Sequence, residues 1–459
     1  MRNILKILPV AFLATAACAN TVLAEGEAPE LVSDPVARTT AGSAARPASL
    51  DSAPSTPASI PADATVDDLV HYAVENNPSL RAAFERWKAA VERAPQARTL
   101  PDPELSYSNF VVRSTDRQGP MGRQRVAISQ MFPWFGTLDA RGSRAEQQAH
   151  AVAHRLEAAT NRTVASLRAQ YAEYYYVETA GAIFEQHRQL LEKLHEAIKG
   201  QYASGLAGRA DVLRIEMELA RVDDTSRSLR DQKGPVRAKL NAMLGRPATA
   251  ALPAAQAWDY RLMEETELRA LSGRLQAHPE LRAREREILA AEEALRLSRL
   301  RSRPDFMAGV EYLERRDASD EAMLMVGISL PIWRESYAAG RREARAMERE
   351  SSAAREALVL DLAARFEESS YTLRDAQRKL RLYDESLLPR AEESFEIIDA
   401  AYGEGEAAFL DLVDAQRELL KLRENRARAL ADQAQSLAQL NELAGRGIGA
   451  QQKTHHEND

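Results

Sequence analysis

Hydrophobic positions along this chain follow two rhythms, and each rhythm occurs twice. From Phe306, every second residue is apolar: Phe306, Ala308, Val310 and Tyr312 share one side, while Met307, Gly309 and Glu311 take the other. Leu324, Val326, Ile328 and Leu330 repeat the pattern opposite Met323, Met325, Gly327 and Ser329. A period of two is that of a strand with one apolar face. In the first half Val126 and Ile128 oppose Arg125, Ala127 and Ser129, whereas the run from Leu105 to Val112 alternates poorly. Each run is about 9–11 residues, the length that a tilted strand needs to cross a bilayer. Polar segments, Arg113-Ser114-Thr115-Asp116 and Glu314-Arg315-Arg316-Asp317, separate the paired runs. Two soluble hairpins packed on helices would show the same alternation.

The second rhythm is helical. It begins after Met131-Phe132-Pro133-Trp134-Phe135-Gly136 and after Ser329-Leu330-Pro331-Ile332-Trp333, where proline ends a strand and redirects the chain. Trp134 and Trp333 would then sit near a membrane–water boundary, a level where Trp is enriched. No proline interrupts Asp139 to Lys199 or Arg334 to Leu388. A helix of some 60 residues is roughly 90 Å long. Leu167, Tyr171, Tyr174, Phe184, Leu191, Leu194 and Ile198 keep heptad spacing, as do Phe366, Leu373, Leu380 and Leu387. Returning helices from about Asp211 and Asp411 would pair antiparallel with them as coiled coils.

The two halves match at an offset of about 200 residues. Tyr202-Ala-Ser-Gly205, Asp211-Val212-Leu213 and Glu218-Leu219 correspond to Tyr402-Gly-Glu-Gly405, Asp411-Leu412-Val413 and Glu418-Leu419. Leu240-Asn241 with Gly245-Arg246 corresponds to Leu440-Asn441 with Gly445-Arg446. A period this long is a half-molecule used twice. Each copy opens a helix after Asn77-Pro78-Ser79-Leu80 or His278-Pro279-Glu280-Leu281, since proline in a first turn loses no hydrogen bond. Those helices stop near Pro101-Asp102-Pro103 and Pro304-Asp305. Ordered structure is expected to begin at Thr65-Val66-Asp67-Asp68. We divide the chain into a signal peptide (1–24), a flexible Pro/Ala/Ser-rich leader (25–63), a first repeat (64–246), a connector (247–270), a second repeat (271–446) and a polar tail (447–459).

Composition narrows the class. Of 459 residues, 28% are charged and only 6% aromatic, which suits long helices with polar outer faces. The net charge of −7, with Lys and Arg interleaved among acids, gives no general attraction to nucleic acid. Arg2 and Lys6 precede an apolar run from Ile7 to Ala17, and Val22-Leu23-Ala24 offers a cleavage site before Glu25. Thr15-Ala16-Ala17-Cys18 faintly resembles a lipoprotein box, which leaves lipidation of Cys18, the only cysteine, as the alternative. Either route exports a protein without an internal disulfide. No later stretch approaches 18 apolar residues, so no spanning helix is expected after the signal.

Four strands per chain cannot close a barrel, because small barrels need about eight. Open edges are not tolerated in hydrocarbon. Strands that span a membrane therefore demand several chains in one barrel.

The Asn/His-Pro-x-Leu starts, the strand pairs ending in Phe-Pro or Leu-Pro, and the Tyr-x-x-Gly turns followed by Asp and Val/Leu resemble TolC-type outer-membrane efflux proteins. The resemblance spans about residues 65–446. It implies a mainly α fold with a small transmembrane β part, in which a homotrimer forms one twelve-stranded β-barrel continued by an antiparallel coiled-coil tunnel. The implied partners are outer-membrane lipid, a periplasmic adaptor (membrane fusion) protein and an inner-membrane pump. Gln130-Met131-Phe132-Pro133-Trp134 looks more like the branch serving heavy-metal or drug pumps. A duct for polypeptide secretion and a soluble periplasmic coiled-coil adaptor are the alternatives. An adaptor would carry one hairpin flanked by compact β domains rather than two similar halves.

In the family the gate lies at the turns joining outgoing and returning helices. Tyr402, Asp411 and Asp414 fall on its gate tyrosine and two constriction aspartates, and Gly405, with Gly205 in the other copy, on the turn glycine. The family's gate arginine would fall at Ala407 and is absent; Arg209, beside Asp211, is the substitute charge available. From spacing alone, Asp411 and Asp414 lie i, i+3 on one helical face, and threefold repetition would ring six carboxylates around an axis. Such a ring attracts cations. Capping explains an Asp in a first helical turn equally well, and for Asp211 it is the simpler account. His150 and His154 have metal-pair spacing but fit polar positions on a long helix, and Met323 with Met325 share a strand face that would suit copper but fit lining or packing positions more simply. With no phosphate loop, nucleophile elbow or cysteine cluster, we expect no enzyme, no cofactor and no metal site.

Overall fold

A computed structural model describes residues 60–109, 122–205, 207–256, 262–315 and 319–446. The expected signal peptide, the tail, most of the leader and the segment 113–116 lie outside them.

Helix α1 (Val66–Asn76) opens on a capping box, in which Asp68 N donates to Thr65 Oγ1 at 3.3 Å and Thr65 N donates to Asp68 Oδ2 at 2.8 Å. Helix α2 (Pro78–Val91) follows, then α3 (Arg93–Arg98), β1 (Glu104–Asn109), β2 (Gly122–Phe132), α4 (Thr137–Ala203) and α5 (Arg209–Met243). The second pass is α6 (Glu265–Ser272), α7 (Pro279–Leu300), β3 (Phe306–Arg315), β4 (Glu321–Ile328), α8 (Arg334–Leu382), a π-turn (Tyr383–Leu387), α9 (Leu388–Glu404) and α10 (Phe409–Leu443). None of these helices is long and apolar enough to cross a membrane. The chain divides into two compact units: one holds Ala94–Arg144 and Glu292–Ala346, and the other holds the described residues of Ser52–Arg93, Ala145–Ala291 and Met347–Asp459.

The first unit carries a four-stranded antiparallel sheet in the order β1-β2-β3-β4. Its register decides what each face presents, because residues directly opposite one another share a face. One row runs Tyr107–Val126–Tyr312–Ala322, the next Leu105–Ile128–Val310–Leu324, and further rows add Ala308–Val326 and Phe132–Phe306–Ile328. This face is apolar across these rows apart from Gln130, opposite Ala308, whose amide donates to Pro101 O at 2.6 Å, and its edge residues stand open: Leu105 is 72% exposed, Leu324 76% and Val326 78%. The opposite face carries Ser106, Ser108, Arg125, Ser129, Gly309, Glu311 and Gly327. There Arg125 Nη2 donates to the buried Glu311 carboxylate at 2.6 Å. The residues of β1 alternate cleanly, Leu105 and Tyr107 against Ser106 and Ser108; it is Phe110-Val111-Val112, outside the described residues, that blurs the sequence pattern.

Asp305 ties the strand ends together. Its carboxylate accepts from Trp134 N at 2.9 Å, and its own N–H donates to Ser329 Oγ at 2.8 Å. Trp134 stacks on Phe306 with centroids 5.7 Å apart, under the Arg303 guanidinium. Trp134 is thus half-buried, whereas Trp333 is 73% exposed. In the first copy the exposed aromatic is the next residue, Phe135, at 78%.

The second unit repeats one packing scheme. Leu69, Val70 and Leu80 pack with Leu167, Tyr171, Tyr174, Leu240 and Leu244 in the first copy. Leu268, Leu271 and Leu281 pack with Leu362, Phe366, Leu373, Leu440 and Leu443 in the second. The helix starts are matched by different chemistry. Asn77 Oδ1 accepts from Ser79 N at 2.8 Å while its Nδ2 donates to Met243 O at 2.7 Å; His278 Nδ1 accepts from Glu280 N at 3.2 Å, with Nε2 3.8 Å from the buried Glu442 carboxylate. Burial pushes the Glu442 carboxyl up, but the bond to His278 and the charges of Arg365, His278 and Arg162 outweigh it and hold the carboxyl below its ordinary range.

Proline interrupts the long helices less than the sequence suggests. Helix α5 runs straight through Pro235 on its exposed face. In the second copy, α8 does not end before Pro389; the π-turn Tyr383–Leu387 leads into α9, with Pro389 in its first turn. Proline lacks an N–H and its ring crowds the carbonyl four residues back, so widening that turn lets the chain stay helical. Leu387 falls in the widened turn and is only half-buried, which ends the heptad reading at Leu380.

Both copies close on a left-handed glycine, Gly245 at φ +69° and Gly445 at φ +66°, with Arg246 N and Arg446 N donating to the carbonyls of Asn241 and Asn441. A Cβ on Gly245 would sit 2.6 Å from the Asn76 carbonyl oxygen, whereas on Gly445 the nearest atom is 3.5 Å away. Both substitutions to Ala carry left-handed strain of about 1–2 kcal/mol, and only the first adds a backbone clash. Gly245→Ala is therefore expected to lower the thermal midpoint of helical circular dichroism clearly more than Gly445→Ala; equal losses would contradict this packing.

Candidate functional site: the paired helical turns

The α4–α5 and α9–α10 turns lie within one unit and form a shared cluster. Phe184, Leu191 and Ile198 from α4, Ile215 and Val222 from α5, and Phe409, Val413 and Leu420 from α10 pack together. Each turn closes on a left-handed glycine, Gly205 at φ +77° and Gly405 at φ +78°, the region glycine adopts without steric cost. Ala207 N and Ala407 N then donate back to Gln201 O and Ala401 O at 3.3 and 3.2 Å, completing matched reversals. Tyr402 sits between them: its hydroxyl donates to Gln201 Oε1 at 3.1 Å and its ring lies 5.9 Å from that of Phe409.

The two first-turn aspartates act as caps. Asp211 Oδ2 accepts from Gly208 N at 3.2 Å, and Asp411 Oδ2 accepts from Ala408 N at 3.3 Å. Both occupy the third helical position, where a carboxylate also meets the positive end of the helix dipole. Arg214 reaches back to Asp211 at 3.5 Å. Arg209 is exposed at the start of α5 and makes no ion pair with a described residue.

Asp414 belongs to a different arrangement. Arg417 Nη1 donates to Asp414 Oδ1 at 2.9 Å, while Nε and Nη2 of the same guanidinium donate to the two oxygens of Glu218 at 3.2 and 3.0 Å. One arginine thus joins α10 to α5 with the paired, planar geometry that suits guanidinium and carboxylate. Arg221 adds a contact to Glu218 at 3.4 Å. The Glu218 side chain is only 7% exposed, against 54% for Asp414, so the carboxylate buried in the helix seam is Glu218. Burial pushes Glu218 up, but the Arg417 hydrogen bonds and charge, with Arg221 and His187, outweigh it and hold it below the ordinary carboxylate range. Arg417 is raised, chiefly by the bonds to Glu218. His187, buried beside this pair, is lowered by its burial, and its Nε2 has no hydrogen-bond partner.

The structure therefore brings Tyr402, Gly205 and Gly405 together as turn elements and sets Asp414 beside an arginine, while Arg209 stands apart. Sequence reasoning missed Gln201, Arg417 and Glu218. One signal was available: Glu218 interrupts the buried series Ile215, Val222 and Leu229, and a carboxylate on such a seam needs a partner. Among the described residues no cluster of three or more His, Cys, Asp or Glu is placed to hold a metal ion. His154 lies 3.5 Å from Glu157.

The sequence model of the outer membrane efflux protein family matches residues 270–446. No curated protein matches the chain by sequence. Among solved structures, the fold is similar to that of the outer membrane protein VceC from Vibrio cholerae (TM-score 0.71, 18% identity, covering 83% of this chain and 96% of that one). CusC is similar at TM-score 0.72 and 16% identity, covering 83% and 92%. The open state of the Neisseria gonorrhoeae MtrE outer membrane channel is similar at TM-score 0.71 and 18% identity, covering 84% and 91%.

Removing Arg417 strands the Glu218 carboxylate. Arg417→Leu should cost about 1–3 kcal/mol, the scale of charge-assisted hydrogen bonds, moderated because the guanidinium is half exposed. Because the folded Glu218 pKa lies below the unfolded value of about 4.3, its contribution is full above that pH and disappears as pH falls through the folded pKa. Glu218→Gln should therefore flatten the acid limb of a pH–melting profile below about pH 4.3; an unchanged limb would show that the pair contributes nothing.

Proposed function

We propose that the chain is a TolC-type outer-membrane efflux protein, a reading supported by the family model over residues 270–446 and by the shared channel fold, and that it works as the exit duct of a three-part efflux system. In this reading three copies join their sheets into one twelve-stranded barrel, and the long helices form a periplasmic conduit. An inner-membrane pump and a periplasmic adaptor deliver metal ions or small toxic compounds, which the duct conducts passively.

The supporting observation is the sheet. Its apolar face is exposed, and among the described residues of one chain both outer strands, β1 and β4, have a free edge. Four is an even number, so β4 of one copy and β1 of the next run antiparallel, and the same copy can be added around a closed ring. Closure satisfies every edge N–H and C=O without water, the condition for a sheet in hydrocarbon. Ser, Gly and the Arg125–Glu311 pair then face the interior, as in barrels with a polar lumen. A soluble adaptor would leave Leu105, Leu324, Val326 and Trp333 in water with nothing to cover them.

At the turns, Tyr402–Gln201 and Arg417–Glu218 hold the two hairpins of one chain together, and we assign them to the closed state. Asp411 and Asp414, repeated threefold, form the cation-attracting constriction. Arg209 and Asp211 lie at the equivalent turn of the first copy and take part in the same rim. In planar bilayers the protein is expected to form cation-selective channels, and Asp411→Ala with Asp414→Ala to lower that selectivity several-fold. Selectivity and conductance unchanged by the double substitution would remove these residues from the constriction; no channels at all would defeat the duct.

A further inference from the structure

Four of the ten methionines fall on the polar face of the sheet. Met131 and Met307 are directly opposite across β2 and β3, Met325 lies one diagonal step away on β4, and Met323 is opposite Glu311. Around them this face carries Ser, Ala and Gly, the Arg125–Glu311 pair, Glu104, Glu321 and Leu313. Met131, Met307 and Met323 remain 48%, 40% and 49% exposed.

Glycines shape the patch. Met307 is opposite Gly327, and Met325 is opposite Gly309. A Cβ on Gly327 would meet the Met307 methyl at 3.1 Å, so the Met307 side chain lies across the strand that carries Met325. The reciprocal Met–Gly pairs set a small residue opposite Met307 and Met325, and Met131 stands directly across from Met307, so thioether side chains from three adjacent strands share one face. Thioether sulfur is a soft, uncharged ligand that selects soft monovalent metal ions over Na⁺, K⁺ or Mg²⁺. Methionine's three rotatable bonds let such sulfurs converge without moving the backbone.

We propose that Met131, Met307 and Met325 form a low-affinity docking site for a soft d¹⁰ monovalent cation, Cu(I) or Ag(I), on the interior face of the sheet, with Met323 as the next step along it. Two residues of strand separate successive steps, about 7 Å. Uncharged ligands hold such an ion without a large electrostatic well, so it binds and leaves again, as conduction requires. The site rests on the duct reading only for its access to a permeating ion; binding itself does not depend on conduction.

The test uses the purified full chain in detergent and silver nitrate in chloride-free buffer, read by equilibrium dialysis. The wild type is expected to take up one more Ag(I) per chain than Met131→Leu/Met307→Leu/Met325→Leu, with dissociation in the micromolar range and at least a tenfold loss in the variant. Leucine is close to methionine in volume and keeps the fold. Cys18, if retained, and the other methionines are common to both proteins and cancel in the comparison. Equal silver uptake by the two proteins overturns the proposal, as does silver absorption spectroscopy showing no sulfur ligand lost in the variant. Potassium conductance in planar bilayers separates the two readings: loss of silver binding with intact conductance in the variant supports the site, whereas absent conductance in both proteins refutes the duct and leaves the binding result standing.

Discussion

An apolar sheet with two free edges can persist only where those edges find partners, and this constraint organises the proposed assembly. The face built by Leu105, Tyr107, Val126, Ile128, Val310, Leu324 and Val326 is continuous across the strands, so it suits hydrocarbon rather than water. In hydrocarbon, each unpaired edge N–H or C=O costs several kcal/mol. The described residues of one chain supply four strands and two edges. Self-association through those edges then becomes the condition on which the membrane form rests. The opposite face is free to be polar, and it carries the salt bridge, the glycines and the thioethers.

Duplication fixes the helical framework but leaves room for divergence. The two halves share their capped helix starts, left-handed closing glycines and core positions; Leu240 and Leu440 are both fully buried. They differ where a particular chemistry is added. His278 replaces Asn77 as a helix cap and brings Glu442 with it, and Pro389 is accommodated by a π-turn. At the turns, Arg417 has no counterpart in the first copy, where Met217 stands, and it is this arginine that bonds across the copies to Glu218. Asymmetry in a duplicated frame thus places this cross-copy ion pair on one side of the repeat and not the other.

Much of this was legible in the sequence because its physical causes are local. Thr65 with Asp68, Asn77 before Pro78 and the glycines at 205 and 405 announce caps and turns through a few neighbouring residues. Alternation in β3 and β4 stands out because one face is apolar over a full strand. The missing parts depend on distance. Arg417 and Glu218 are 199 residues apart, so only the out-of-place carboxylate on an apolar seam pointed to the pair. Capping by Asp411 and its proposed place at a constriction look identical in sequence, since both require an acid in a first turn. The continuation past Pro389 was hidden because proline's cost depends on whether the preceding turn can widen.

Amide hydrogen exchange of the membrane-extracted protein tests the closed sheet most directly, read on peptides that cover β1 and β4. Closure predicts that the amides of Glu104–Asn109 and Glu321–Ile328 are protected as strongly as those of β2 and β3, since every edge group has a partner in the next copy. Rapid exchange of about half the amides in these two strands, with β2 and β3 protected, would show two open edges and contradict the barrel.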